Sequence, residues 1–374
     1  MTLQRRIATF LNIQPGESRS LLWMMVLFFF LGSAYILTET AAFALFVNRF
    51  GADFLPYTYV VIGIGVSTLT FFYLRLVERF PSTRLVVFNL AVLFAATLAI
   101  RFGLELTGDN WMIFLLPVWK FVLVYIGSMS FWAIFGRLYD VREAKRLSGL
   151  AGSGRWFASV MVGFTVPLLV PVIGATNLLA AAAVNLLIAV FLARYILRRF
   201  SPTASSMSAP AKLVEDRPPR QSAFRYRYVV LIFVYTFCAI VAGYMITNVY
   251  FGQASEVFTS ADDLAIFTSR ITGFVGILIL GIQLFITGRL LNRYGLWAGL
   301  LIQPLVTGAA VLLLMIGGFA NSPVLVGAAG TGRRRGNIDT GFRRCAWRSG
   351  PAGGIAGGSR VDGSAGQRAV GWSD

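Results

Sequence analysis

"LLWMMVLFFFLGSAYILTETAAFALFV", residues 21–47, is an apolar run that contains one charged residue, Glu39. An α-helix rises 1.5 Å per residue, so about 20 apolar residues cross a hydrocarbon layer roughly 30 Å thick. The run exceeds that length, and it is too long to be the apolar region of a signal peptide. It therefore predicts a membrane-spanning helix.

Further apolar runs of spanning length recur along the chain. They lie near 57–77, 85–106, 111–136, 156–175, 177–198, 228–250, 264–287 and 295–318. The composition agrees with this pattern, because 57% of the 374 residues are hydrophobic and only 13% are charged, against about 25% charged residues in ordinary globular domains. The mean hydropathy is +0.71. We predict an all-α polytopic membrane protein whose surroundings are the lipid bilayer.

The spans fall into two groups. Residues 1–198 hold six spans, and residues 228–318 hold three more. Between them, 199–227 is rich in Ser, Pro and charge, which predicts a flexible cytoplasmic linker. The remaining residues, 319–374, are rich in Gly and Arg and have no apolar period. We expect this tail to be out of frame on a truncated or frameshifted chain, with a genuine disordered tail as the alternative.

Two short motifs recur in the second group. "GADFL" at 51–55 is similar to "SADDL" at 260–264, and "RLVERF" at 75–80 is similar to "RLLNRY" at 289–294. Spans 7–9 are therefore predicted to repeat spans 1–3, although chance similarity between apolar segments stays open. A parallel repeat of two six-helix halves is the plan of major facilitator transporters. The expected bundle is of that kind, with an incomplete second half of about three spans.

The charge distribution indicates topology rather than a nucleic-acid surface. The formal net charge is +17, but the arginines cluster at alternate span ends. The positive-inside bias predicts that the N-terminus is cytoplasmic. The membrane is expected to be the cell membrane, that is, an inner or plasma membrane. The chain has no His and two Cys, which excludes His-based catalysis and favours no metal site. We expect no enzyme activity, cofactor, metal or nucleic-acid partner.

Charged residues inside the spans point to a functional site, because a charge within the bilayer costs several kcal/mol without a partner or a cavity. Glu39, Lys120 and Arg270 all lie roughly 10 to 14 Å below the outer surface at 1.5 Å per residue. Spans 1, 4 and 7 line the central cavity in the major facilitator plan, so Glu39 and Lys120 are expected to face each other there. The polar wall would be completed by Tyr244, Thr247 and Asn248 of span 7. We predict a substrate site, and a purely structural ion pair is the alternative.

Several motifs carry a resemblance to a known family. They are "FW" at 131–132, "EAKRLSGLAGSG" at 143–154, "LNIQPGES" at 11–18, "LPYTYVV" at 55–61 and "RLLNRYG" at 289–295. Together they resemble the bacterial and plastid ATP/ADP translocases over residues 10–318. The resemblance implies that the charged stretch after span 4 is a cytoplasmic loop. The glycines of that stretch favour a close approach of span 5 to a neighbouring helix. We predict loop or gating roles for Arg75, Arg79, Glu143, Lys145, Arg146, Arg289 and Arg293.

The resemblance implies less about the substrate. By this resemblance, translocases that exchange nucleotides carry charged residues at positions that here hold Leu45, Lys120, Thr247, Phe251, Gln253 and Ser255. Only Lys120 and Arg270 supply cations within the spans. Phosphate chains need several cations to offset their charge, so nucleotide exchange is not favoured, although a nucleotide stays open as a solute. We expect a secondary transporter of a small solute, an anion among the candidates, that works by alternating access. The alternatives are a membrane sensor or scaffold without transport, and an inactive truncated remnant.

Overall fold

The computed structural model describes residues 17–79, 82–107, 110–200 and 227–287, together with Gly308, Ala309 and Leu312. Over these ranges the chain is helical, with short connections and no β-strand. The helices are α1 Glu17–Phe50, α2 Leu55–Arg79, α3 Ser82–Thr107, α4 Asn110–Leu138, α5 Val141–Ile173, α6 Leu178–Arg199, α7 Arg227–Val257 and α8 Ala261–Gly281. A 3-10 turn, Ala52–Phe54, precedes α2, and α8 continues as a π-helical turn, Ile282–Thr287.

Each of the eight helices is long and apolar enough to cross a membrane. They correspond in order to the first eight predicted spans, which confirms the all-α polytopic fold class. The ninth predicted span, 295–318, lies outside the described residues apart from the three isolated positions named above. Residues 201–226 of the predicted linker and the tail 319–374 lie wholly outside them.

Helix α1 forms the centre of the bundle. It packs against α4, α5, α6 and α8, with a smaller contact to α7, and 19 of its 34 residues are buried. Its apolar residues lie on every side rather than along one stripe, and such a helix is normally surrounded by others. The first quoted run therefore supplies the core around which the other helices pack.

Glycines set the closest helix contacts. Gly154 of α5 lies against the backbone carbonyl of Met25 in α1, where a β-carbon would overlap it. On another face of α5, Gly163 meets the backbone of Gly273 in α8 in the same way. Small residues let membrane helices approach closely enough for backbone contacts. The expected close approach of span 5 to a neighbour is confirmed at Gly154.

The prediction of a loop between spans 4 and 5 is wrong, because the stretch is helical, whereas its cytoplasmic side stays a prediction. Helix α4 ends at Leu138 and α5 begins at Val141, so Glu143, Lys145 and Arg146 lie in the first turns of α5. The Glu143 carboxylate accepts a hydrogen bond from the Asp140 N–H at 3.1 Å, which satisfies a backbone donor at the helix start. The stretch that follows is rich in Ala, Leu, Lys and Arg, which are strong helix formers. Its charges extend the helix beyond the apolar run rather than interrupt it.

The two similar motifs occupy equivalent junctions. "GADFL" connects α1 to α2 through Gly51, whose φ of 81° is in the region that glycine adopts without strain. "SADDL" connects α7 to α8, where the Ser260 hydroxyl caps the helix by accepting from the Asp263 N–H at 3.0 Å. The second "RLVERF"-like motif lies outside the described residues, so the repeat stays a prediction.

Candidate functional site

A lysine and a glutamate from two helices form an ion pair within the bundle. The Lys120 Nζ in α4 lies 2.7 Å from the Glu39 Oε1 in α1. At 1.5 Å per residue, both positions are about 15 Å from the nearer ends of their helices, well inside the apolar segments. The Lys120 side chain is 11% exposed and that of Glu39 is 39% exposed. The lysine is therefore enclosed by protein, whereas its partner borders an open space.

Aromatic rings surround the ammonium group. The Lys120 Nζ lies 4.2 Å from the ring centroid of Phe121 and 5.5 Å from that of Phe43. Both distances are within the range of cation–π attraction, which stabilises a cation out of water. Phe43 in turn stacks on Phe251 of α7 with centroids 4.8 Å apart. The ion pair and these rings thus connect α1, α4 and α7.

A second pair of rings extends this surface to α2. Tyr244 of α7 packs edge-to-face on Phe121 at 5.9 Å and stacks on Tyr59 of α2 at 4.4 Å. The Tyr59 hydroxyl and the Asn248 side-chain carbonyl are both buried, and neither has a hydrogen-bond partner. A buried polar atom without a partner is costly. These two atoms are suited to bind a polar group that enters the bundle.

The structure joins three of the six predicted site residues by direct contacts. Glu39, Lys120 and Tyr244 are joined through Phe121, and Asn248 lies one helical turn beyond Tyr244. The Thr247 hydroxyl donates to the Gly243 carbonyl within α7 at 2.9 Å. Arg270 is exposed, and among the described residues no hydrogen bond or ion pair joins it to Glu39 or Lys120.

Four of the five aromatic residues of the site were not predicted as site residues from the sequence, whereas Tyr244 was. They are Phe43, Tyr59, Phe121 and Phe251. Aromatic residues are too frequent here to stand out, since they make up 14% of the chain. A weak signal existed for two of them, because Phe121 follows Lys120 directly and Phe43 lies one turn after Glu39 on the same face.

The predicted gating residues have helical rather than loop surroundings. Arg146 pairs with Glu17 at 2.5 Å, joining the beginnings of α5 and α1. The Arg75 guanidinium lies 4.3 Å over the ring of Phe71, within α2. The side chains of Arg79 and Lys145, and the whole of Arg289 and Arg293, lie outside what the structure describes. Their gating roles stay predictions.

A buried tyrosine lies beside the Arg146–Glu17 pair. The Tyr139 hydroxyl donates to the Ser20 hydroxyl oxygen at 3.0 Å. Burial raises the pKa of Tyr139 above its ordinary value of 10, the Ser20 hydrogen bond lowers it in part, and the nearby Glu17 and Glu143 carboxylates raise it. Tyr139 is therefore neutral at physiological pH and connects the α4–α5 junction to α1 as a hydrogen-bond donor.

Hydrogen bonds connect α1–α6 to α7–α8 at both ends of the bundle. At the end where α1 finishes, Asn48 Nδ2 donates to the Thr259 carbonyl and the Ala175 N–H donates to Asp262 Oδ1, each at 2.7 Å. At the opposite end, Gln283 Nε2 donates to the Gly149 carbonyl at 2.8 Å. Within the described ranges, no group of three or more potential metal ligands occurs.

Comparison with known proteins gives one informative match. No protein-family model matches the chain, and no solved structure matches it significantly. The chain is 25% identical over 247 residues to the ADP,ATP carrier protein 1 of Chlamydia trachomatis serovar D. The match covers 56% of this chain and 46% of the carrier, so the chain spans less than half of that protein's length. It supports an ATP/ADP translocase-like relationship and, with the eight apolar helices, indicates a membrane transporter.

Proposed function

We propose that the chain is a secondary transporter of the ATP/ADP translocase lineage that binds a small anionic solute between α1, α2, α4 and α7. The observation that carries the proposal is the Glu39–Lys120 pair, whose enclosed lysine lies among aromatic rings well inside the apolar segments. Buried ionisable residues inside membrane spans mark substrate or ion pathways in many transporters. The Chlamydia relative, named as an ADP,ATP carrier, supports the same class.

The chemistry of the pocket favours a solute with one or few negative charges and a planar apolar part. Lys120 is the cation of the site, and an entering anion competes with Glu39 for it. Tyr244, Tyr59 and Phe121 offer ring faces for stacking, and Asn248 offers a free carbonyl. A triphosphate or diphosphate would leave much of its charge without a counter-ion here, so we place a nucleotide below simpler organic anions.

The division of the chain into two groups of spans, joined by the linker, supports a mechanism of alternating access. In a major facilitator arrangement, residues 1–198 and 228–318 rock about a central site. The Asn48–Thr259 and Asp262–Ala175 hydrogen bonds would open on one side of the membrane, and the Gln283–Gly149 hydrogen bond on the other. We propose that the N-terminus faces the cytoplasm in a cell membrane, and that the cycle contains no covalent step.

Counterflow into proteoliposomes tests the function. Purified full-length protein is reconstituted, loaded with unlabelled solute and supplied with labelled ATP, ADP, phosphate, or mono- and dicarboxylates. We expect exchange of at least one anion and at least a tenfold loss in Lys120→Met. Arg101→Met is the matched control, because Arg101 is also a buried cation paired with a carboxylate, Glu105, but lies outside the site. Loss of exchange to the same extent in both variants would contradict the proposed site.

The second candidate is a membrane sensor or scaffold that keeps the bundle but moves no solute. The direct Glu39–Lys120 contact favours this candidate, because the two charges neutralise each other without a ligand. The same vesicles decide between the two. Absence of counterflow for every anion, from protein that remains monodisperse and helical, would exclude transport and support this candidate.

A further inference from the structure

A basic groove lies between α3 and α6, at the end of the bundle where α1 begins. One part, of about 590 Å³, is lined by Arg84 and Phe88 of α3 and by Arg194 and Arg198 of α6. An adjoining part, of about 470 Å³, shares Arg194 and Arg198 and adds Phe191, Tyr195 and Arg199. Neither part belongs to the site around Lys120.

The four arginines of the groove, Arg84, Arg194, Arg198 and Arg199, are exposed. Within the described part of the chain, the ion pairs are Arg101–Glu105, Lys120–Glu39 and Arg146–Glu17, and none involves the groove. Arg194 and Arg198 are four residues apart on one helix face, where like charges repel. An anion placed between them would relieve that repulsion.

The charged and aromatic residues of the groove lie at depths that match the headgroup and the acyl chains of a phospholipid. Arg84 lies in the first turn of α3 and Arg198 in the last turn of α6, so their guanidinium groups reach the headgroup level. Phe88 lies about 6 Å deeper than Arg84, and Phe191 about 10 Å deeper than Arg198, at 1.5 Å per residue. Both rings are exposed, at 60% and 64%. A charged rim above an apolar floor fits a phosphate that carries acyl chains, whereas a soluble phosphate would gain nothing from the floor.

We propose that this groove binds an anionic phospholipid, with its phosphate held by Arg84, Arg194 and Arg198 and an acyl chain lying along Phe88 and Phe191. The planar guanidinium groups suit phosphate oxygens because each can donate two parallel hydrogen bonds. Basic pockets between membrane helices at the headgroup level recognise anionic lipids by this chemistry. The groove differs from general positive charge at this face because residues of two helices line one concave surface.

Native mass spectrometry of the full-length protein in mild detergent tests the proposal, after equal additions of phosphatidylglycerol and phosphatidylcholine. We expect phosphatidylglycerol to remain bound at least tenfold more than phosphatidylcholine. We also expect Arg194→Gln/Arg198→Gln to lose most of that preference. Arg84→Gln, a single change on the other helix, should weaken it as well. Glycerol 3-phosphate added in excess should not displace the lipid.

The matched control is Arg19→Gln/Arg75→Gln, which removes the same charge from exposed arginines at the same end of the bundle but outside the groove. It should keep the lipid preference within twofold. Equal losses in the control and the groove variants would mean that only bulk charge attracts the lipid, and displacement by glycerol 3-phosphate would indicate a site for free phosphate. Either result would overturn the proposal.

Thermal melting of each variant shows whether it is folded. The variant Arg194→Lys/Arg198→Lys keeps the charge and should retain part of the lipid preference.

Discussion

The Lys120 ammonium lies 2.7 Å from the Glu39 carboxylate, and the two side chains differ more than threefold in exposure, 11% against 39%. The lysine needs the glutamate to stabilise its charge, because protein surrounds the ammonium and little water reaches it. The glutamate needs the lysine less, because part of its side chain is exposed. The pair is therefore asymmetric, and this asymmetry allows its structural and functional roles to be measured separately.

Removing the glutamate should cost more stability than removing the lysine. Glu39→Leu leaves a buried ammonium without a counter-ion, so we expect a loss of about 3 kcal/mol, the lower end for a broken buried pair. Lys120→Met leaves a partly exposed carboxylate and should cost less than about 1 kcal/mol. Unfolding in detergent measures both. The double variant Glu39→Leu/Lys120→Met should recover most of the loss, and a Lys120→Met variant as unstable as Glu39→Leu would contradict the asymmetry.

The α5–α8 contact should not tolerate a methyl group. A β-carbon at Gly163 would overlap the Gly273 backbone and lie 2.8 Å from the Ser269 carbonyl oxygen. Gly163→Ala must push the helices apart, with an expected cost of about 1–3 kcal/mol. Gly136→Ala in α4 is the control, because nothing lies within 4 Å of its β-carbon position and alanine favours a helix by about 0.5–1 kcal/mol. Thermal midpoints in detergent should move in opposite directions.

Cysteine labelling should place the two ends of the bundle on opposite sides of the membrane. In a Cys238→Ser/Cys345→Ser background, Ser18→Cys and Thr259→Cys each put a thiol at an exposed position. The proposed orientation predicts that an impermeant maleimide labels Thr259→Cys on intact cells and Ser18→Cys only after permeabilisation. The reverse pattern would place the N-terminus outside, and labelling of both on intact cells would contradict the alternation of the helices.

Burial of the Tyr139 phenol, helped by the nearby Glu17 and Glu143 carboxylates, raises its pKa and should make the protein less stable at alkaline pH. The folded-state pKa of Tyr139 is raised above the unfolded value near 10, so the folded state holds the proton more tightly. Its contribution is complete below pH 10 and is lost as the pH rises through 10 toward the raised folded value. Tyr139→Phe should cost about 1 kcal/mol at pH 8. Its thermal midpoint should also fall less between pH 8 and pH 11 than that of the unchanged protein. Equal decreases would show that this phenol does not contribute.

Local sequence predicted the helices because their signal is local. Span length and apolar content act residue by residue, so the runs near 21–47 and 228–250 could be assigned without knowledge of their neighbours. The charged run at 143–146 was misassigned for a related reason. Charge marks where the apolar layer ends. Helix α5 nevertheless begins at Val141, before the charged run, because the ends of a helix are set by capping and helix propensity.

The sequence by itself determined the membrane class, the order of eight helices and how far Glu39 and Lys120 lie from the ends of their helices, since each depends on distance along a single helix. Only the tertiary structure decided which faces meet. It brought Tyr59, Phe121 and Tyr244 together from α2, α4 and α7, and it placed Arg84 and Arg194 along one groove between α3 and α6. The physical reason is that these helices are apolar on most sides, so hydrophobic periodicity does not select their partners. That selection is made by packing, by glycine contacts such as Gly163–Gly273 and by the pairing of the few buried charges.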